Sequence, residues 1–180
     1  PAGEPDPQIW VVDPDQRSQD DSDEAWLERE GGDFSVPADR WERRPTAMVV
    51  AGAWLASDTI PLGERATVDA TLRPAGLLAV VLALPHADQT PFMLRRTDGG
   101  LLPVETWSGL ENLDERSPRD LATGYNPSAT ARDVQLRMST VLGPLPAGTY
   151  RFRVSRHGFV VGELSATVVA GEVRPLFIPR

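Results

Sequence analysis

The stretch that decides the fold is Tyr-Arg-Phe-Arg-Val-Ser at residues 150–155, where apolar and polar residues alternate at every step. Successive side chains of a β-strand point to opposite faces, whereas a helix would distribute such a pattern around its whole circumference. The stretch therefore predicts a strand with one buried face and one solvated face.

The same two-residue period recurs along the C-terminal two thirds of the chain. It is found in residues 66–72, 134–138 and 164–168. Strands are also expected over residues 92–96 and, continuing the second of these runs, over residues 134–142. Turn sequences separate the predicted strands, and they are Asp98-Gly99-Gly100, Pro146-Ala147-Gly148, His157-Gly158 and Ala170-Gly171-Glu172. Short strands spaced by such turns are typical of an all-β sandwich.

The segment Leu-Pro-Ala-Gly-Thr-Tyr-Arg-Phe-Arg-Val-Ser-Arg-His-Gly-Phe at residues 145–159, with Val-Val-Ala-Gly-Glu at 168–172, resembles carboxypeptidase-regulatory-like (prealbumin-like) domains. The shared features are a Leu-Pro-x-Gly-x-Tyr turn and strand, a Gly-aromatic turn and a closing strand near Gly-Glu. The resemblance is clearest over residues 145–180. It implies an immunoglobulin-like or prealbumin-like β-sandwich, serving as a structural or interaction module without catalytic residues. A long insertion at 105–133 departs from the pattern.

Charge and composition divide the chain into three parts. Residues 1–33 hold 11 acidic residues and two Arg, for a charge of −9, whereas the remainder carries +1. We expect 1–33 to be an acidic, mostly irregular N-terminal arm with a short helix over 22–30. Residues 34–76 supply either additional strands or part of a preceding module, and residues 77–180 form the sandwich. An acidic chain argues against binding nucleic acid, whose phosphates need a basic surface.

The residue inventory limits both chemistry and location. The chain has no Cys and no Lys, and all 18 basic residues are Arg. The apolar run at 77–84 is too short to span a membrane and fits a buried strand. Together with the resemblance, this usage leads us to expect an exported bacterial protein, periplasmic or extracellular.

Candidate catalytic and metal-binding residues do not form a convincing site. Asp13, Asp15, Asp21 and Glu24 follow the spacing of an EF-hand, but Arg17 occupies a ligand position. A solvated acidic segment is the favoured interpretation, and cation binding by the arm is left open. The two histidines, His86 and His157, have no evident partner. We therefore predict that the protein is not an enzyme and uses no cofactor or metal.

Aromatic and large apolar residues are the candidate binding residues. They are Trp10, Trp26 and Leu27 in the arm, and Trp107, Leu110 and Tyr125 in the 105–133 loop. Exposed Trp residues mark protein or sugar contacts. The function expected is a non-catalytic structural or protein-interaction module, an accessory subunit or envelope protein. It would dock onto a larger assembly through the arm and the loop. The alternative is a carbohydrate-binding module that stacks sugars on Trp107 and Tyr125.

Overall fold

The computed structural model describes residues 8–12, 28–30, 33–35, 47–52, 54–62, 68–82, 91–106, 129–136 and 140–178. Within these ranges every regular element is a β-strand, which confirms the expected all-β class. No helix there is long and apolar enough to cross a membrane. The strands form two large, mainly antiparallel sheets and one two-stranded hairpin.

The strands in chain order are β1 (Gln8–Val12), β2 (Glu28–Glu30), β3 (Asp33–Ser35), β4 (Ala47–Gly52), β5 (Leu55–Ala56), β6 (Ile60–Pro61), β7 (Arg73–Leu82), β8 (Phe92–Arg96), β9 (Leu102–Thr106), β10 (Ala129–Ala131), β11 (Asp133–Leu136), β12 (Thr140–Pro146), β13 (Gly148–Arg156), β14 (Phe159–Val168) and β15 (Val173–Ile178). The larger sheet has the order β1-β4-β5-β7-β12-β9-β10, with β6 paired to β4 and β15 paired in parallel to β7. The smaller sheet has the order β11-β8-β13-β14.

The main core lies between the two sheets, because each supplies one apolar face. Leu78, Val80 and Leu142 of the larger sheet pack with Leu94 and Phe152 of the smaller sheet, and all five are buried. This face-to-face packing makes the C-terminal part of the chain a β-sandwich. The alternation at 150–155 is confirmed, since Phe152 and Val154 are buried while Arg151 and Arg153 are exposed.

The long strand β7 connects the sandwich to the strands that precede it. Its first residues pair with β5, and its later residues pair with β12 on one side and β15 on the other. Near its start, Ala75 packs with Leu101 and with alanine and valine side chains of β4. The other face of β4, formed by Met48 and Val50, packs against Ile60, Leu62, Val68 and Leu72.

The structure corrects three expectations about local structure. Residues 28–30, expected at the end of a helix, form β2 and pair with β3, and Gly31-Gly32 separates the two strands. A Gly-Gly pair favours a two-residue hairpin, while a short helix is marginal by itself. Residues 68–72 are not a strand: Val68 and Leu72 are half-buried as their pattern predicts, but Ala70 of the same pattern is exposed.

The third correction concerns residues 134–142, which the sequence pattern assigns to one strand. The structure has two strands there, β11 in the smaller sheet and β12 in the larger sheet. The chain therefore passes from one sheet to the other between residues 136 and 140. Val134, Leu136 and Leu142 all reach the same core from opposite sides, so alternation by itself does not reveal the crossing.

Candidate interaction surface

The six binding residues chosen from the sequence are not brought together by the described structure. Trp10 lies in β1, opposite Val49 of β4. The other five, Trp26, Leu27, Trp107, Leu110 and Tyr125, lie outside the described residues. The predictions that the 1–33 arm and the 105–133 loop dock onto a partner therefore stay predictions.

Five large apolar side chains on two sheets are exposed, and we name them together the apolar end. Phe159, Val160 and Val161 lie on β14 of the smaller sheet, whereas Val81 and Phe177 are register partners on the larger sheet. Phe159 is 75% exposed and Phe177 is 66% exposed, so neither ring is covered by the described chain. Apolar surface of this kind, when contiguous, marks sites where another molecule binds.

Strand connections explain why these residues lie at the same end. Residues 169–172 connect the last residue of β14 to the first residue of β15, so the start of β14 and the end of β15 both lie away from this connection, toward the same end of the sandwich. Phe177, near the end of β15, is the register partner of Val81 in β7. Arg156, the last residue of β13 and the register partner of Phe159, has its guanidinium carbon 5.1 Å from the ring centre of Phe92, the first residue of β8.

The turn between β13 and β14 is formed by His157 and Gly158, as the sequence predicts. Both have positive φ angles, 51° and 79°, which suits a two-residue hairpin. A register irregularity opposite Val154 and Ser155 then leaves Val161 between two paired residues. Because a bulge interrupts the alternation of faces, three consecutive apolar residues become exposed.

Sequence reasoning did not select the apolar end, although a signal was present. Phe159, Val160 and Val161 are adjacent apolar residues in a region where apolar residues otherwise occur at every second position. A strand with one wet face cannot bury all three. The pairing of Phe177 with Val81 had no such signal, because it depends on the parallel register of β15 with β7.

The outer edge of β14 carries main-chain groups that no described strand uses. The N–H group of Thr97 donates to the carbonyl oxygen of Arg151, so the main-chain groups of Arg151 face β8. Those of its neighbour Phe152 therefore face β14, where Leu164 is the register partner. Because these directions alternate, the N–H and C=O groups of Glu163, Ser165 and Thr167 face away from β13.

The edge of β15 differs because a proline interrupts it. The N–H group of Leu77 donates to the carbonyl oxygen of Glu172, so the groups of Arg174 and Leu176 also face β7. Pro175 therefore lies with its nitrogen toward the free edge, where a missing N–H costs no hydrogen bond within the sheet. A strand that paired with this edge would therefore find one N–H donor missing, at Pro175.

A groove of about 420 Å³ lies between the edges of β14 and β15. Its apolar lining comes from Leu164 and Ala166 of β14 and from Pro175, Leu176 and Phe177 of β15, and Arg174 also lines it. Leu164 and Ala166 are half-buried and continue the main core outward. The sandwich is thus open along this side, with apolar side chains accessible between the two sheets.

The outer face of the smaller sheet is charged, in contrast to the groove. Arg95 forms a salt bridge with Asp133, and Arg153 forms one with Glu163. The hydrogen bond from Arg95 to Asp133 is the main cause that raises the pKa of Arg95. All four side chains are about half exposed, so each pair stabilises the fold little. This face is a solvated surface.

The opposite end of the sandwich is closed by polar contacts. The Arg96 side chain, 8% exposed, donates two hydrogen bonds to the carboxylate of Asp98 and lies 4.9 Å from the ring centre of Tyr150. The Tyr150 hydroxyl donates to the carbonyl oxygen of Pro146 at 2.7 Å. Gly76 of β7 is the register partner of Leu145, next to Pro146, and we call Gly76, Arg96, Asp98 and Tyr150 the closed end.

Two pKa values at the closed end are displaced from their ordinary range. Partial burial acts to raise the pKa of the Asp98 carboxyl group. Hydrogen bonds from Arg96 and from the Gly100 N–H together lower it by more, so the pKa lies below its ordinary value. Burial raises the pKa of the Tyr150 hydroxyl. Both groups are engaged in hydrogen bonds within the fold, and neither lines the groove.

Metal-ligating side chains do not cluster in the described ranges. No group of three His, Cys, Asp or Glu side chains there could hold a metal ion. His157 is exposed in its turn, whereas His86 lies outside the described residues. No family model, curated protein or solved structure matches this chain.

Proposed function

We propose that the chain is a non-catalytic protein-interaction module, an accessory subunit or exported envelope protein of a bacterium. The observation that supports the proposal is the apolar end, where Phe159 and Phe177 present their rings to solvent. Exposure of such rings is unfavourable unless a partner covers them, and aromatic side chains are enriched where proteins bind one another.

The proposed sandwich type is immunoglobulin-like or prealbumin-like. The hydrogen bond from the Tyr150 hydroxyl to the carbonyl oxygen four residues upstream supports this type, because a similar tyrosine corner occurs in immunoglobulin-like domains. The Leu-Pro-x-Gly-x-Tyr resemblance over residues 145–150 supports it as well. In such modules the sandwich is a rigid platform, and binding occurs at its ends and edges.

The apolar end adds a third contact to the two proposed from the sequence. The acidic 1–33 arm and the 105–133 loop would engage the same assembly, and the apolar end would supply a desolvated centre. Charge on the arm speeds association with a basic partner, whereas buried aromatic rings slow dissociation. The proposed periplasmic or extracellular location belongs to this same function.

Site-specific photocrosslinking tests the proposal in cells that make the protein. A benzophenone amino acid at position 159 or 177 is expected to capture the same protein, identified by mass spectrometry. The matched control carries the probe at Thr149, which is exposed at the other end of the β13–β14 hairpin. Equal capture from position 149, or none from 159 and 177, would contradict docking at the apolar end.

Replacing the acidic residues Asp13, Asp15, Asp20, Asp21, Asp23 and Glu24 by Asn or Gln tests the contribution of the arm in the same assay. These positions lie outside β1, whose pairing with β4 a deletion of residues 1–33 would remove. A weaker crosslink with an unchanged thermal midpoint is expected. If no protein is captured and the purified chain instead shows tryptophan quenching with a polysaccharide panel, the carbohydrate-binding alternative at Trp107 and Tyr125 is favoured.

A further inference from the structure

The edges of β14 and β15, which border the groove, differ in how they are protected against pairing. β14 has ten residues, and they include no Pro, Lys or Arg and only one charge, Glu163. β15 has six residues and is interrupted by Pro175. Native proteins block exposed edges with short strands, proline and charge, because an open edge is a template for another strand. β14 has little of this protection, so of these two edges it is the one that can accept a strand.

The groove defines the chemistry of the strand that would add to β14. Side chains on one face of an added strand would lie over the apolar lining of Leu164, Ala166 and Leu176. Those on the other face would meet Glu163 and Ser165 in solvent. The accepted strand must therefore alternate apolar with small polar residues, without proline.

β14 itself satisfies these requirements. Leu164, Ala166 and Val168 are half-buried or buried on its inner face, while Glu163, Ser165 and Thr167 are exposed on its outer face. A second copy of β14, added antiparallel about a two-fold axis perpendicular to the sheet, keeps the inner faces of both copies on one side. The strand is thus complementary to itself.

The charge on β14 restricts the register of such a pair. If Glu163 were on the axis, it would oppose the same residue of the second copy, and directly opposed like charges destabilise a sheet. If Leu164 is on the axis, Glu163 opposes Ser165 of the second copy, and Leu164 meets its own copy above the groove. The hydrogen-bonding groups of Glu163, Ser165 and Thr167 then all find partners.

We propose that the protein forms a symmetric dimer by antiparallel pairing of β14 with β14 of a second copy, centred on Leu164. The pairing extends over residues 161–167 and joins the two smaller sheets into one continuous sheet. This inference goes beyond the proposed function, because it assigns the edge of β14 to self-association. Phe159 lies outside the paired segment and stays accessible to another protein, whereas Val161 belongs to that segment and Phe177 lines the groove beside it.

Light scattering on the purified full chain tests the dimer and its location. The wild-type chain is expected to have twice its 19.6 kDa mass, with dissociation on dilution between about 1 mM and about 1 µM. Ser165→Pro removes an N–H that faces the free edge, and it is expected to leave a folded monomer. Ser165→Ala retains the N–H and is expected to stay dimeric. A wild-type monomer throughout this range, or a dimer of the Ser165→Pro variant, would overturn the proposal.

Cysteine crosslinking tests the register and does not depend on the proline variant. The chain has no cysteine, so Leu164→Cys introduces a single thiol. On the two-fold axis the two thiols occupy a non-hydrogen-bonded pair, whose spacing of about 4.5 Å between Cα atoms permits a disulfide. Ala166→Cys places its thiols about 14 Å apart along the strands and is the matched control.

The expected result is rapid, near-complete disulfide dimer from Leu164→Cys and little from Ala166→Cys under mild oxidation. Equal or reversed crosslinking of the two variants would overturn the pairing centred on Leu164. This outcome is independent of the photocrosslinking test, because a partner captured from position 159 has its own mass, whereas a second copy gives twice the mass of the chain.

Discussion

At the closed end of the sandwich, Arg96, Asp98 and Tyr150 bind one another and the main chain, whereas at the apolar end Phe159 and Phe177 contact solvent. Both ends belong to the same strands, since Tyr150 is near the start of β13 and Phe159 follows its last residues. The difference shows how one hairpin can be fixed at its base and present apolar side chains at its tip.

The two ends also differ in how closely the main chain packs. At the closed end, a Cβ atom on Gly76 would lie 2.1 Å from the carbonyl oxygen of Val169, in the segment that leads from β14 to β15. Toward the apolar end, a Cβ atom on Gly162 would meet no atom within 4 Å. Substitutions at the two ends should therefore have very different effects on stability.

Gly76→Ala is expected to have the largest effect. The atom that a methyl group would meet is a main-chain oxygen held by neighbouring hydrogen bonds, so it cannot move aside cheaply. We expect a loss of about 3 kcal/mol in the free energy of unfolding, measured by urea denaturation. Gly162→Ala is the control and is expected to change stability by no more than about 0.5 kcal/mol. Similar losses in both variants would contradict the difference in packing.

Tyr150→Phe tests the hydrogen bond that holds the base of the hairpin. The variant retains the ring beside Arg96 but leaves the carbonyl oxygen of Pro146 without the hydroxyl donor. A loss of about 1 kcal/mol is expected in urea denaturation at neutral pH. An unchanged midpoint would show that solvent replaces the hydroxyl at no cost, and the closed end would then depend on packing alone.

Asp98→Asn tests the charge pair at the closed end through its pH dependence. Because the pKa of Asp98 is lower in the folded state than in the unfolded state, its carboxylate stabilises the fold at neutral pH. That contribution is lost as the pH falls below about 4. Wild type is therefore expected to be more stable than Asp98→Asn at pH 7, with the difference shrinking toward acid in thermal melts. A pH-independent difference would contradict the pairing with Arg96.

Phe159→Ser at the apolar end is expected to have the smallest effect on stability. The ring is mostly in solvent, so its removal should change the free energy of unfolding by no more than about 0.5 kcal/mol. The same variant should lose the photocrosslink from position 177. A large loss of stability would show that the ring packs within the fold and would remove the basis of the proposed binding surface.

Strands and turns near the C-terminus could be predicted from the sequence because their signals are local. The period of two fixes which side chains of residues 150–155 face the core, and His157-Gly158 fixes the hairpin. The predicted strand over residues 92–96 has the bounds of β8. Residues 28–30 and 134–142 were predicted wrongly, since a hairpin partner and a change of sheet are not visible in the local period.

The sequence by itself determined that the chain forms strands with an apolar face, because alternation is a property of neighbouring residues. Only the tertiary structure decided which strands become edges, since that depends on pairing between distant segments. β14 and β15 follow each other in the chain, yet they join different sheets and leave a groove between them. Likewise, Phe177 lies beside Val81 only because β15 pairs in parallel with β7, which joins residues 96 positions apart in the sequence.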